Sequence, residues 1–359
     1  MKRAFAVCCL LLACSPTLPP AYLHARDAAE SAYGSGQFEL AAKSWLNAAH
    51  TARTARDRSE ARYRAATSYE RAGRTEQARA VYELLAAGNS ERAARATFAL
   101  ADLRLRAGDE AGGYAALEAA IRKYPSSGVA GLSLHRYFAE LAERGGDEAV
   151  LTYIDRTEPE LANSELSEQL LYERARRLDA RGETPAARDA YLVVADRFPY
   201  PHGAYWDDAL LHGAECEQHL GNPRRAIELL TRMLAARELS HLSGSYERPH
   251  FADAAYRIAE LYRDELNDLP AARRSFHEVF VSFPSSTLRD DALWQEALLA
   301  RRSSSAEACL PLTLLLRELP DSRYAPCAVE ICPTLAPPRA RECRDYIRRE
   351  LEPAAKPAP

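Results

Sequence analysis

Glycine is scarce in this chain, at 16 of 359 residues, methionine occurs twice, and β-branched residues are few. No segment shows the repeated apolar–polar alternation of half-buried strands, so a β-rich body is excluded. After Leu12 no apolar run approaches the roughly 20 residues that a membrane-crossing helix needs. Long basic runs are missing as well, and the net charge is −4, which argues against nucleic acid as a partner. P-loop, GxGxxG and GxSxG signatures are absent, so no cofactor is expected and the chain does not read as an enzyme. What is abundant is alanine, arginine, leucine and glutamate, all good helix formers.

The amino terminus, MKRAFAVCCLLLACSPTLPP, has the three parts of an export signal: Lys2 and Arg3, an apolar core from Ala4 to Leu12, and small residues before a break. The quartet Leu11-Leu12-Ala13-Cys14 resembles the lipobox of bacterial lipoproteins. That resemblance implies cleavage before Cys14 and acylation there, palmitate-type chains included. Ser15, where an aspartate would favour inner-membrane retention, points by the same analogy to the outer membrane. The expected organisation is a lipoprotein signal over 1–13, a lipidated tether over 14–24, repeats over 25–302, a last repeat with a cap over 303–351, and a disordered tail over 352–359.

A repeat runs through the body. DDALLHGA (207–214), ADAAYRIA (252–259) and DDALWQEA (290–297) each open with acid and close on alanine. About twelve residues after that alanine comes another small residue, and four further on a bulky one, as in Ala66, Ala78 and Tyr82. Gly73, Gly108, Gly182 and Gly221 stand between the halves where a left-handed cap ends a helix. Pro125, Pro199, Pro284 and Pro320 end the second halves. Small residues at fixed phases let two helices approach closely, which makes each unit a helical hairpin. The pattern resembles the tetratricopeptide repeat. The expected fold is all-α: an α-solenoid, or superhelix, of about seven or eight such hairpins with a C-terminal cap.

The links YPSSGVAGL, FPYPHGAYWDDAL and FPSSTLRDDAL narrow the resemblance, over 165–320, to bacterial envelope lipoproteins of the BamD and YbgF class, which serve outer-membrane assembly and Tol-Pal coordination. It implies a periplasm-facing scaffold that binds other envelope proteins in a groove and the membrane through its lipid. In this repeat class the fifth position of each first helix faces the groove. That implies groove positions Tyr63, Phe98, Leu134, Tyr172, Leu211, Tyr256 and Trp294, with a mixed and mostly acidic rim from Thr67, Asp102, Arg176, Glu215 and Glu260. An aromatic stripe at such spacing serves equally well as packing. The alternative function is an accessory of cell-wall metabolism that binds peptidoglycan or a hydrolase.

His212, Cys216 and His219 share a helical stripe, a weak metal candidate without a fourth ligand. The acidic pairs Asp207-Asp208 and Asp290-Asp291 read as helix caps. Cys309, Cys327, Cys332 and Cys343 crowd the carboxyl end, where an oxidising compartment favours two disulfides. Four cysteines leave three connectivities open. The interruptions at 200–206 and 238–251 are candidate binding loops.

Overall fold

The computed structural model describes residues 18–236, 250–336 and 342–351, which hold helices and turns and no strand. Cys14, most of the 238–251 loop and the 352–359 tail lie outside the described residues. The chain divides into two compact units, the first ending at Ser167 and the second beginning at Glu168. Unit 1 contains α1 (Pro20–Gly34), α2 (Phe38–Thr51), α3 (Ala55–Arg71), α4 (Thr75–Ala86), α5 (Glu91–Arg106), α6 (Glu110–Lys123) and α7 (Ala130–Leu161). Unit 2 begins within α8 (Leu166–Ala180) and continues through α9 (Thr184–Arg197), α10 (Trp206–His219), α11 (Pro223–Ala235), α12 (His250–Asp264), α13 (Leu269–Ser282), α14 (Arg289–Arg301) and α15 (Ser305–Glu318). Two short helices close it, α16 (Ala328–Ile331) and α17 (Asp345–Arg348). Helix α7 is broken at Gly145–Gly146, so it too is a hairpin, and eight hairpins follow one another among the described residues.

The first helix starts at Pro20, inside the stretch expected to be tether, and the expected boundary at 302 falls within the eighth hairpin.

Each hairpin is made by the same local physics. In the second hairpin, the Arg74 N–H reaches the Tyr69 carbonyl at 2.8 Å and the Gly73 N–H reaches that of Glu70 at 3.0 Å. This is a Schellman closure, and it needs the left-handed backbone that Gly73 supplies at φ +71°. The first, third, fifth and sixth hairpins repeat both bonds. Helices before Pro125, Pro199, Pro284 and Pro320 all stop two residues early. The residue preceding each proline has left the helical region, with φ between −132° and −123°.

Alanines at the seams are sealed: Ala66, Ala78, Ala175, Ala187, Ala226 and Ala272 have no exposed surface. In the third hairpin the seam residue is Gly113, where a Cβ would lie 2.5 Å from the Leu105 side chain. Four residues beyond each second-helix seam sits a bulky, buried side chain: Trp45, Tyr82, Leu117, Tyr191, Leu230 and Phe276.

After α15 the chain folds back over its last hairpin. Disulfides join Cys309 to Cys332 and Cys327 to Cys343. With Trp294, Leu312, Tyr324, Ile331 and Ile347 they form one apolar cluster. The Trp294 indole N–H donates to Glu350 at 2.8 Å, and its ring stacks on Tyr324 at 4.9 Å. Loops of this size closed by a disulfide are worth about 3 kcal/mol each. Replacing Cys327 and Cys343 together by serine is therefore expected to lower the thermal midpoint and to open Trp294 to an aqueous fluorescence quencher. Unchanged melting and quenching would remove the bridge from the account of the cap.

Candidate functional site

The groove stripe expected from the repeat separates into two sets. Phe98 is 4% exposed and Leu134 and Trp294 are fully buried, so these three are corrected to core residues. Trp294 is covered by the cap, and none of the three offers a partner access. Tyr63, Tyr172, Leu211 and Tyr256 are half-buried. One side of each tyrosine leans on the bulky residue of its own hairpin. Tyr63 meets Tyr82 and Tyr172 meets Tyr191 with the same geometry, 5.9 Å and 57°, and Tyr256 meets Phe276 at 5.2 Å. Burial pushes the Tyr63, Tyr172 and Tyr256 phenols up, so all three stay neutral at ordinary pH.

In unit 1 these positions open onto a trough. A cavity of about 500 Å³ is lined by Tyr33, Trp45, Glu60, Tyr63, Arg64 and Arg92, among others. A second, of about 420 Å³, shares Tyr63 and Thr67 with it and continues to Asp102, Arg106 and Arg136. The Arg64 guanidinium lies 5.1 Å from the Trp45 ring centre, and that of Arg92 lies 4.9 Å from the Tyr63 ring. Both arginines bind Glu60, Arg64 through Nε at 2.9 Å. The trough therefore offers aromatic edges and guanidinium donors, a lining suited to the carbonyls and carboxylates of a polypeptide. Nothing local in the sequence singles out Tyr33, Trp45, Arg64 or Arg92, since arginine recurs throughout the chain and only the tertiary fold brings the four together.

The expected acidic rim is also corrected. Asp102 binds Arg136, Glu215 binds His212, and Glu260 lies against Arg257 and Arg263, so these carboxylates are already neutralised. The acidic pairs stand in the first turns of α10 and α14, where Asp290 accepts the Asp291 N–H at 3.0 Å, and they also reach beyond their own helices. Asp208 reaches His250 of the next hairpin at 3.1 Å, while Asp291 binds Arg323 and the Tyr324 hydroxyl. They sit inside the first helical turn, past the capping position, and are free to bridge hairpins.

In unit 2 the stripe is self-occupied. Tyr205 stacks on Tyr172 at 4.5 Å, and its N–H donates to Glu168, which draws the 200–206 loop onto α8. His212 stacks on Tyr191 at 5.4 Å and bonds Glu215 through Nδ1 at 2.8 Å. Cys216 faces Asp179, and burial pushes its thiol up to about 12, which makes it a poor nucleophile. His219 is exposed at the last position of α10, so the three metal candidates do not converge. Among the described residues no three His, Cys, Asp or Glu side chains are disposed to hold a metal, and no helix is long and apolar enough to cross a membrane.

The His212–Glu215 pair makes a pH prediction. The hydrogen bond to Glu215 raises the His212 pKa and the same bond lowers that of Glu215. Its contribution is complete between about pH 4.5 and 6.5, the ordinary values of the two groups. It fades as pH falls through the lowered Glu215 value or rises through the raised His212 value. The melting difference between wild type and His212→Gln should be largest in that window and shrink above it. A difference constant with pH would show that ring stacking alone is lost.

Three stretches, 60–91, 95–127 and 253–286, match the tetratricopeptide repeat family. No curated protein matches the sequence. Among solved structures, PilF of Pseudomonas aeruginosa is 19% identical, over 64% of this chain and 93% of its own, with a TM-score of 0.37. The C-terminal part of a TPR repeat-containing protein from Cytophaga hutchinsonii is 11% identical, over 74% and 97%, with a TM-score of 0.40. The TPR domain of P58(IPK) is 16% identical, over 92% and 96%, with a TM-score of 0.27. These matches do not confirm the narrower resemblance to the BamD and YbgF class. Helical hairpins punctuated by glycine and proline, with three of their segments matched directly, are tetratricopeptide repeats, and this chain carries them in an all-α fold.

Proposed function

We propose that the protein is a scaffold that holds segments of other proteins in the trough of unit 1, and that acylation at Cys14 pins it to the outer membrane facing the periplasm. The trough carries this reading: an open, aromatic and arginine-lined cavity of about 500 Å³ on a repeat fold whose general use is protein binding. The lipobox-like quartet and the two disulfides support an exported location. Membrane confinement would raise the effective concentration of an envelope partner without any new contact.

The partner segment is an extended stretch that presents carboxylates or free carbonyls to Arg64. A photo-crosslinker at Thr67 in living cells should trap an envelope protein, whereas one at Leu84, an exposed position on α4, should not. Arg64→Glu should weaken capture about tenfold or more, the loss of one charge-assisted hydrogen bond, without altering the melting midpoint. Trapping of cell-wall fragments or a hydrolase at Thr67 would favour the cell-wall accessory instead. Equal capture at both positions would refute the trough. For the anchor, labelled palmitate should enter the wild-type chain and not Cys14→Ser; equal labelling of both would refute acylation at that residue.

A further inference from the structure

Most arginines described in unit 1 are ion-paired, and four of those that are not fall within one short segment. The segment 53–62, RTARDRSEAR, holds Arg53, Arg56, Arg58 and Arg62. Among the described residues none of the four has a carboxylate partner, and Arg58 donates to the Ala52 carbonyl, at 3.3 Å. Arg53 and Arg56 are exposed, and Arg58 and Arg62 half so. The two acids of the segment are committed elsewhere. Asp57 closes the α3 cap with Thr54, accepting from its hydroxyl at 2.7 Å, and Glu60 binds Arg64 and Arg92. Four unneutralised cations in ten residues are out of keeping with a chain of net charge −4.

Topology places that cluster where the chain enters. Helix α2 runs back along α1, so the end of α2 and the start of α3 return to the end of the unit where α1 begins. Side chains agree: Leu18 packs on the cluster containing Tyr22, Ala52 and Ala61, and Asp57 acts electrostatically on Tyr22. A recess of about 410 Å³ between the first turns of α3 and α5 is lined by Arg56, Arg92 and Arg95 and by Glu60 and Glu91, which pair with Arg92 and Arg95, so the unneutralised charge of this surface comes from the four arginines of the segment. From Cys14 to Pro20 is six residues, a reach of about 20 Å at full extension.

We propose that this arginine surface, at the end of unit 1 where the chain enters, docks on anionic phospholipid head groups. Guanidinium groups bind phosphate oxygens in bidentate fashion, and the start of α3 adds the positive end of its dipole. The attraction acts within a Debye length, about 8 Å at physiological salt, which a short tether makes reachable. Docking would fix which end of the unit faces the bilayer and leave the trough turned to its partner. The proposal takes the bilayer's position from the anchored reading above; the chemistry of the surface stands apart from it.

The test uses the oxidised mature chain, residues 15–359, which contains every described helix and carries no acyl group. Vesicles of phosphatidylcholine doped with phosphatidylglycerol should co-sediment it at low salt, and pure phosphatidylcholine vesicles should not. Replacing the four arginines by glutamine should lower partitioning at least about twentyfold, since each basic residue at an anionic surface is worth about fivefold. Circular dichroism and melting should stay unchanged, and glutamine at Arg224 and Arg302, exposed in unit 2, should have no effect. Equal partitioning of variant and wild type, or equal binding to neutral vesicles, would overturn the proposal. So would loss of heparin binding with vesicle binding kept, which would assign the arginines to another polyanion. If the protein made in cells carries the acyl chain but residues 15–359 ignore anionic vesicles, the docking surface alone falls; if it carries none while residues 15–359 still bind them, only the anchor falls.

Discussion

The spacing between the two helices of each hairpin is the constraint on which the rest depends. Alanine or glycine at the seam brings the backbones together, and interaxial distance follows the side chains at the contact. Once that distance is set, the residue four positions along the second helix lies over the seam and must be large, and it is: Trp45, Tyr82, Leu117, Tyr191, Leu230 and Phe276 are all buried. A larger seam residue would push the helices apart and uncover those side chains together. Turn chemistry follows from the same need. Helices this close allow only a short connection, and in five hairpins one residue both completes the Schellman closure of the first helix and stands just before the second.

Polar groups repeat with the hairpins too. Glu60 binds Arg92, Glu70 binds Arg106 and Asp102 binds Arg136, each pair about one repeat apart. Exposed pairs of this kind contribute little to stability, about 0–1 kcal/mol. Their effect is on register, because a hairpin sliding by one turn would set arginine against arginine. They also change what the trough can bind. Each pair neutralises acid and base together, so in place of the acidic rim that residue types along the helices suggest the trough presents the guanidinium N–H groups its own carboxylates do not use.

Much of the fold was legible because its cause is local. Alanine phase, the glycine after each first helix and the proline after each second are short-range requirements, visible without knowing what packs on what. Even so, Gly36 and Asn267, which turn the chain at positive φ after a first helix, and Gly146, in the break of α7, lie where flanking copies are degenerate or an asparagine replaces glycine. The site was less legible because exposure is a tertiary property. Position on a helix says which way Phe98, Leu134 and Trp294 point, and says nothing of the neighbour that covers them. For Trp294 that neighbour is Glu350, 56 residues on, brought there by disulfides whose pairing the spacing left open.

The two ends of the array are finished differently, and this bears on where binding happens. In unit 2 the chain occupies its own first-helix face: Tyr205 lies on Tyr172, and the cap holds Trp294 against Glu350 and Tyr324. Terminal repeats need such cover, because a hairpin without a neighbour exposes its packing face. In unit 1 the corresponding face stays open around Tyr63, where Arg92 lies over the Tyr63 ring and Arg64 over the ring of the buried Trp45, both paired with Glu60. Rearranging a half-exposed ion pair costs little, whereas displacing the cap would break buried contacts and strain two covalent bridges. An incoming polypeptide therefore meets its lowest barrier in the first hairpins.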